Sequence, residues 1–210
     1  MKPEERVQWV YQAEGSEDLA GRYSEWARDY ERDIQQVFGY VVPDVTVEIA
    51  SEYLRLNDKI LDVGAGTGLA GVLLNRAGFR SLYALDMSRG MLDEAEKKGI
   101  YRELYEGTLG ERIELETQSF DAIVAAGVFG PRQAPSSGFG ELIRLTRPNG
   151  MLVFSIQLQH YKESDIRQVL DSHTRAGRWI LEKVSESFQG LPRAEPDILY
   201  RIWVYRVVKN

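Results

Sequence analysis

Apolar side chains in the first quarter of the chain recur at helical spacing. Leu19, Tyr23, Trp26, Ala27 and Tyr30 fall at steps of three and four, and Ile34, Val37 and Phe38 extend the stripe to Gly39. Pro43 marks a break, after which Asp44 is placed to cap a helix carrying Val45, Ile49, Ala50 and Tyr53. From residue 59 the rhythm changes. The apolar run 59–63 reads as a strand, Leu69, Val72, Leu73 and Ala77 as a helix closed by Gly78, and 81–86 as a second strand. Ser88 then caps a helix with Met91, Leu92 and Ala95 that ends at Gly99. Residues 101–105, 120–126 and 151–156 read as three more strands. A helix over 141–145 and a turn at Pro148-Asn149-Gly150 separate the last two. Ser164 opens a final helix through Ile166, Val169, Leu170 and His173.

Two long strand candidates close the chain, 179–188 and 198–208, joined by a turn region with Gly190, Pro192 and Pro196. No helical pattern lies between them, so they are expected to pair antiparallel. Strand–helix alternation from 59 to 176 implies an α/β sheet, mostly parallel, with helices on both faces. Ile123-Val124-Ala125-Ala126 is apolar at every position, as a strand covered on both faces requires. The expected organisation is a helical cap or lid over 1–57 and a compact core over 58–210.

Composition narrows the chemistry. The chain has 210 residues and no cysteine, which excludes a disulfide framework, a thiolate zinc site and a cysteine nucleophile together. With two histidines a polyhistidine metal site is not expected either. Acidic residues outnumber basic ones, 32 to 26, for a net charge of -6. That balance opposes a partner made of phosphates, so no nucleic-acid partner is expected. There is no apolar run of membrane-spanning length and no apolar signal core near the start. A cytoplasmic protein with no membrane partner is the expectation.

The sharpest local feature is Asp62-Val63-Gly64-Ala65-Gly66-Thr67-Gly68, a glycine loop between a strand and a helix. Such glycines let the backbone turn tightly and approach a ligand with no Cβ in the way. The helix that follows offers N–H groups to an anionic part of a ligand. Asp86 ends the next strand eighteen residues after Gly68, where a carboxylate can accept from ribose hydroxyls. The spacing is G-x-G-x-G, with Leu69 where a dinucleotide fingerprint has its third glycine. Asp62 beside the loop would repel a diphosphate but suits a ligand carrying an ammonium group.

These motifs resemble those of the class I S-adenosylmethionine-dependent methyltransferases. The segment 61–68 is similar to the first motif of that class, and Leu85-Asp86-Met87-Ser88 to its acidic second motif. Further likeness lies in 23–30 (a tyrosine/tryptophan entry motif), Ser88-Arg89-Gly90-Met91-Leu92, Gly99-Ile100-Tyr101, Thr108-Leu109-Gly110, 120–124 and Arg147-Pro148-Asn149-Gly150. Together they look most like the methyltransferase-like proteins of the Williams–Beuren syndrome chromosome region type.

The resemblance implies a Rossmann-like class I fold: a mostly parallel seven-stranded sheet ending in an antiparallel hairpin. It implies S-adenosyl-L-methionine as cofactor, with Gly64, Ala65, Gly66 and Thr67 beside the methionine part and Asp62 near the amino group. Asp86 would bind the ribose, Met87 the adenine face, and Thr108 and Leu109 the adenine edge. Gly127 would line the methyl-donor pocket, and Tyr23, Trp26 and Tyr30 would close over it.

A methyl transfer of this kind needs alignment and exclusion of water more than a catalytic group. None is assigned; His160, after the fifth strand, is either a general base or a solvated loop residue, while His173 falls on an apolar helix face. The segment Ala126-Gly127-Val128-Phe129-Gly130 lacks the Asn/Asp-Pro-Pro-aromatic motif of enzymes that methylate base or amide nitrogens. A small-molecule acceptor is expected, with specificity from 1–45, 128–140 and 157–165. Two other readings stay open: a protein that holds the cofactor without transferring methyl, and a nicotinamide-linked oxidoreductase.

Overall fold

A computed structural model describes residues 1–208. An eight-stranded sheet in the order β3-β2-β1-β4-β5-β8-β6, with β7 paired to β8, forms the middle layer. The parallel strands are β1 (Ile60–Val63), β2 (Leu82–Asp86), β3 (Glu103–Glu106), β4 (Phe120–Phe129) and β5 (Thr146–Gln157). β6 (Trp179–Val184), β7 (Phe188–Leu191) and β8 (Glu195–Val207) run antiparallel at one edge. The helices are α1 (Pro3–Tyr11), α2 (Gly15–Glu31), α3 (Val42–Tyr53), α4 (Leu69–Arg76), α5 (Arg89–Glu96), α6 (Gly138–Leu145), α7 (Leu158–Glu163) and α8 (Ile166–Arg175).

Strand periodicity sorts the core into two layers. Ile123, Leu152, Phe154 and Tyr205 face α6 and α8, packing on Phe139, Leu142 and Leu170. Their neighbours Ala122, Val124, Val153 and Val204 face α3 and α4, packing on Val47, Ala50 and Leu74. Both faces are covered, which is why these strands read as unbroken apolar runs. Each such Leu, Val or Phe contributes about 1.5–3 kcal/mol by leaving water.

The strand expected over 179–188 is two strands. β6 pairs with the second half of β8 and β7 with the first, so the sheet has eight strands, not seven. The break falls at Ser185, whose hydroxyl accepts from Ile202 N–H at 2.9 Å and replaces a ladder bond there. β4 runs past Ala126 to Phe129, with Gly127 at φ 74 where its register with β5 shifts. The Pro148-Asn149-Gly150 turn is an excursion inside β5: Phe120 faces Thr146 but Ala122 already faces Met151, and Asn149 has φ 67.

The N-terminal stripe forms α2, but a π-helical turn over Arg32–Val37 follows it. The wider turn rotates the face, so Ile34 and Phe38 are buried while Val37 is exposed. Pro43 lies in the first turn of α3 rather than breaking the chain, because that turn has no use for its missing N–H, and Asp44 sits in the same turn instead of capping it. Within 1–57, α3 packs with the sheet layer. α1, α2 and the π-turn share a separate apolar cluster with Tyr40, Leu69 and Met87, over the carboxyl ends of the strands.

Candidate active site

The glycine loop leaves β1 at the point where strand order reverses between β1 and β4, the crevice where open α/β sheets bind ligands. Gly64, Gly66 and Gly68 all have positive φ (63, 55 and 92), so the turn is closed to ordinary side-chain-bearing residues. Gly64 N–H and Ala65 N–H both donate to Leu85 O, at 2.8 and 3.1 Å. Gly66 N–H donates to Asp86 Oδ2 at 2.8 Å, and Ser88 N–H to Asp86 Oδ1 at 2.9 Å. Asp86 thus ties the end of β2 to the loop while its carboxyl keeps acceptor capacity for a ligand. Burial pushes its carboxyl above the ordinary range, and the backbone N–H groups oppose that shift.

Loop and strand ends open into one cavity of about 650 Å³. Tyr23, Trp26, Tyr30, Gly64, Ala65, Gly66, Thr67, Asp86, Met87, Thr108, Leu109 and Gly127 all line it. The fold therefore gathers residues from α2, the loop, and the ends of β2, β3 and β4. Met87 also packs into the N-terminal apolar cluster, so it serves core and wall together. Thr67 is buried and its Oγ1 donates to Glu31 at 2.6 Å; Glu31 also pairs with Lys98. Trp26 lies against Tyr30 edge-on at 5.0 Å, and its indole N–H donates to buried Asp33 at 3.0 Å. Burial pushes Asp33 up, but bonds from Trp26, Arg6 and Arg32 outweigh it, and its carboxyl stays below the ordinary range.

Asp62 is the exception among the expected residues, for it does not line the cavity. Its carboxylate lies behind the loop, accepting from Tyr101 O–H at 2.6 Å and from Gly71 N–H in the first turn of α4. Burial raises it to about 7, against the Tyr101 bond. A Cβ on Gly71 would collide with the Tyr101 hydroxyl, so that glycine is there to admit the tyrosine. Asp62 caps the helix rather than a ligand, and the helix start has correspondingly less to offer an anion than its position in the fold suggests. With Gly64, Ala65 and Gly66 N–H also spent internally, the loop is no phosphate cradle. What it leaves open is space: a Cβ on Gly66 would meet no protein atom within 4 Å. A nucleoside ligand without phosphate fits this donor set.

The cavity also has walls that the sequence pattern did not mark. Tyr11 of α1, Tyr40 of the segment before α3, and Leu191 and Tyr200 of the β7–β8 hairpin all face it. None belongs to a local motif; a gap of 160 residues separates Tyr40 from Tyr200. The 1–45 and 128–140 segments line the cavity as expected, but nothing from 157–165 does. β5 stays paired with β8 as far as Gln157–Tyr200, and α7 then carries that segment aside. His160 accordingly faces a smaller hollow with Gln157, Glu163 and Glu195, away from the glycine loop. It is not placed as a general base for the main cavity. His173 is structural, edge-on to Trp179 at 5.3 Å. Among the described residues no cluster of His, Cys, Asp and Glu is arranged to hold a metal, and no helix is long and apolar enough to cross a membrane.

Comparison with known proteins places the chain in a family. Residues 61–154 match the family model described as a methyltransferase domain. The chain is 34% identical over 188 residues to methyltransferase-like protein 27 of Homo sapiens, covering 84% of this chain and 75% of that protein. The solved [4+2]-cyclase SpnF has the same fold with a TM-score of 0.71 at 14% identity, over 94% of this chain and 98% of that one. Burkholderia thailandensis 1,6-didemethyltoxoflavin-N1-methyltransferase, solved with 1,6-didemethyltoxoflavin and S-adenosylhomocysteine, gives 0.64 at 19% identity, over 91% and 88%. These two structural likenesses speak to fold alone. The chain belongs to the class I S-adenosylmethionine-dependent methyltransferases. Its cofactor is S-adenosylmethionine, and the human relative is the Williams–Beuren-region protein whose motifs the sequence resembles.

Proposed function

We propose that the 650 Å³ cavity binds S-adenosylmethionine and a small, uncharged, largely apolar acceptor together. The convergence of Asp86, the glycine loop and a ring of aromatic side chains on one space carries this reading. Asp86 accepts from the ribose hydroxyls, Gly64–Thr67 pass beside the methionine part, and Met87, Thr108 and Leu109 hold the adenine. When bound, the cofactor supplies a methyl group already activated by its sulfonium charge. The chain's task is then to align, to desolvate and to keep water out.

The wall supports that division of labour. Its charged side chains among the described residues are Asp86, Glu111 and Arg132. One cation cannot neutralise a polyphosphate backbone, which favours a small molecule over nucleic acid. Burial raises Tyr23 to about 12 and Tyr30 and Tyr40 well above their usual value, so the phenols stay protonated at neutral pH. They act as neutral hydrogen-bonding groups, not as bases. The acceptor must arrive with a usable lone pair.

Asp86→Ala is expected to weaken S-adenosylmethionine binding by about 1.5–3 kcal/mol, the worth of hydrogen bonds to a charged group. Calorimetric titration checks it. A wild-type dissociation constant in the folded variant would rule out the ribose assignment.

We further propose that the N-terminal segment acts as the cover of this site, with α3 held to the core. α2 docks on α5 at Gly90: its N–H donates to Ser24 Oγ at 3.2 Å, and Ser24 Oγ meets Ser88 Oγ at 2.9 Å. A Cβ on Gly90 would lie 2.7 Å from Ser24 Cα, so the helices cannot keep their approach around a larger residue. Gly90→Val should therefore expose the α1–α2 segment to limited proteolysis while a fragment that begins just before α3 survives. An unchanged cleavage pattern would contradict the docking role.

A further inference from the structure

The binding reading above gives no role to the hydroxyl of Tyr40, one of several tyrosine hydroxyls on the cavity wall. Its backbone is pinned on both sides: Tyr40 N–H donates to Ile34 O at 3.0 Å, and Val41 N–H donates to Gly190 O of β7 at 3.0 Å. The ring reaches from there to the end of β4. A Cβ on Gly127 would collide with Tyr40 Oη, so the hydroxyl rests directly on the Gly127 backbone. Gly127 N–H is turned away, donating to Ser155 Oγ at 2.7 Å. Unlike Tyr101, which donates to Asp62, Tyr40 has no hydrogen-bond partner among the described residues, although it is half-buried and lines the cavity.

Its place in the sheet says what it faces. Asp86 and Thr108–Leu109, at the ends of β2 and β3, hold the nucleoside half of the ligand in the reading above. The ligand then passes the β1 loop toward β4. Gly64 of that loop lies against Val128, since a Cβ on Gly64 would collide with Val128 Cγ2. Gly127, the residue before Val128 on β4, also lines the cavity, with Tyr40 upon it. The far side of the ligand from Asp86 therefore comes up against this hydroxyl.

We propose that Tyr40 Oη is the group that receives the positively charged methyl-bearing centre of the donor, through its lone pairs. A sulfonium polarises its methyl hydrogens, and a phenol oxygen accepts from such C–H groups. The contact also sets the direction of the methyl relative to the acceptor, because the two backbone anchors fix where the Tyr40 ring is mounted. Tyr40 is then both a donor-binding residue and a determinant of alignment.

Three ligands separate this role from general packing. S-adenosylmethionine carries the charged methyl centre. Sinefungin carries an ammonium group in its place. S-adenosylhomocysteine carries neither. Titrated into wild type and Tyr40→Phe, sinefungin should weaken by about tenfold or more, as for a hydrogen bond from a charged donor. S-adenosylmethionine should weaken by about two- to fivefold, as for C–H donors, and S-adenosylhomocysteine should be nearly unaffected. Retained S-adenosylhomocysteine affinity also reports that the variant is folded. Equal loss across all three ligands, or no loss for any, would overturn the proposal. Failure of wild type to bind any of them would overturn the site reading on which it rests.

Discussion

Gly66→Val is expected to abolish detectable binding of S-adenosylmethionine and S-adenosylhomocysteine. Two effects act in the same direction. Gly66 has φ 55, a conformation that a β-branched residue adopts only under strain of about 1–3 kcal/mol. Its missing Cβ also points where no protein atom lies within 4 Å, on a residue that lines the cavity, so the new side chain occupies ligand space. Strain alone would register as lower thermal stability with binding retained. Filling of the site would register as lost binding at a modest change in melting temperature. Calorimetry with a parallel thermal scan separates the two, and an unchanged dissociation constant would place the ligand elsewhere.

The second large effect concerns stability. Asp62 is raised by burial to about 7 from an ordinary 3.8. Between those values the folded chain keeps a proton that the unfolded chain has released. Its contribution is therefore fully present below about pH 4 and is lost as pH rises to about 7, beyond which it is flat. The size is on the order of 4 kcal/mol across that window. Asp86, also raised by burial, acts with the same sign. Asp18, Asp33 and Glu141 are held below their ordinary values, so they lose stability only as pH falls further. Stability is thus expected to be greatest on the acid side of neutrality. Asp62→Asn should flatten much of the decline between pH 5 and pH 8 in urea unfolding. A slope identical to wild type would show that Asp62 is ionised throughout.

The pattern along the chain does not give the direction of a side chain. Asp62 sits in the right motif, but its side chain points down strand β1 toward Tyr101 rather than out toward the cavity. Gly99-Ile100-Tyr101 was visible as a motif; that Tyr101 reaches under α4 across Gly68 and Gly71 was not. Likewise 179–188 reads as one strand because its residues suit a strand throughout. The break at Ser185 depends on a bond to Ile202 in another strand.

Local chemistry settled the strands from 59 to 156, the left-handed glycine loop, and Asp86 at the end of β2. Those features depend on neighbours within a few residues: apolar periodicity, positive φ, a cap. The sequence by itself therefore determined the α/β class and the glycine-loop side of the cavity. The tertiary structure alone decided the opposite wall of the cavity, where Tyr11, Tyr40, Leu191 and Tyr200 meet from both ends of the chain. It also decided which way Asp62 points and which segment forms the cover. Contacts between residues more than a hundred positions apart leave no periodic trace, because each residue's local neighbours are indifferent to them.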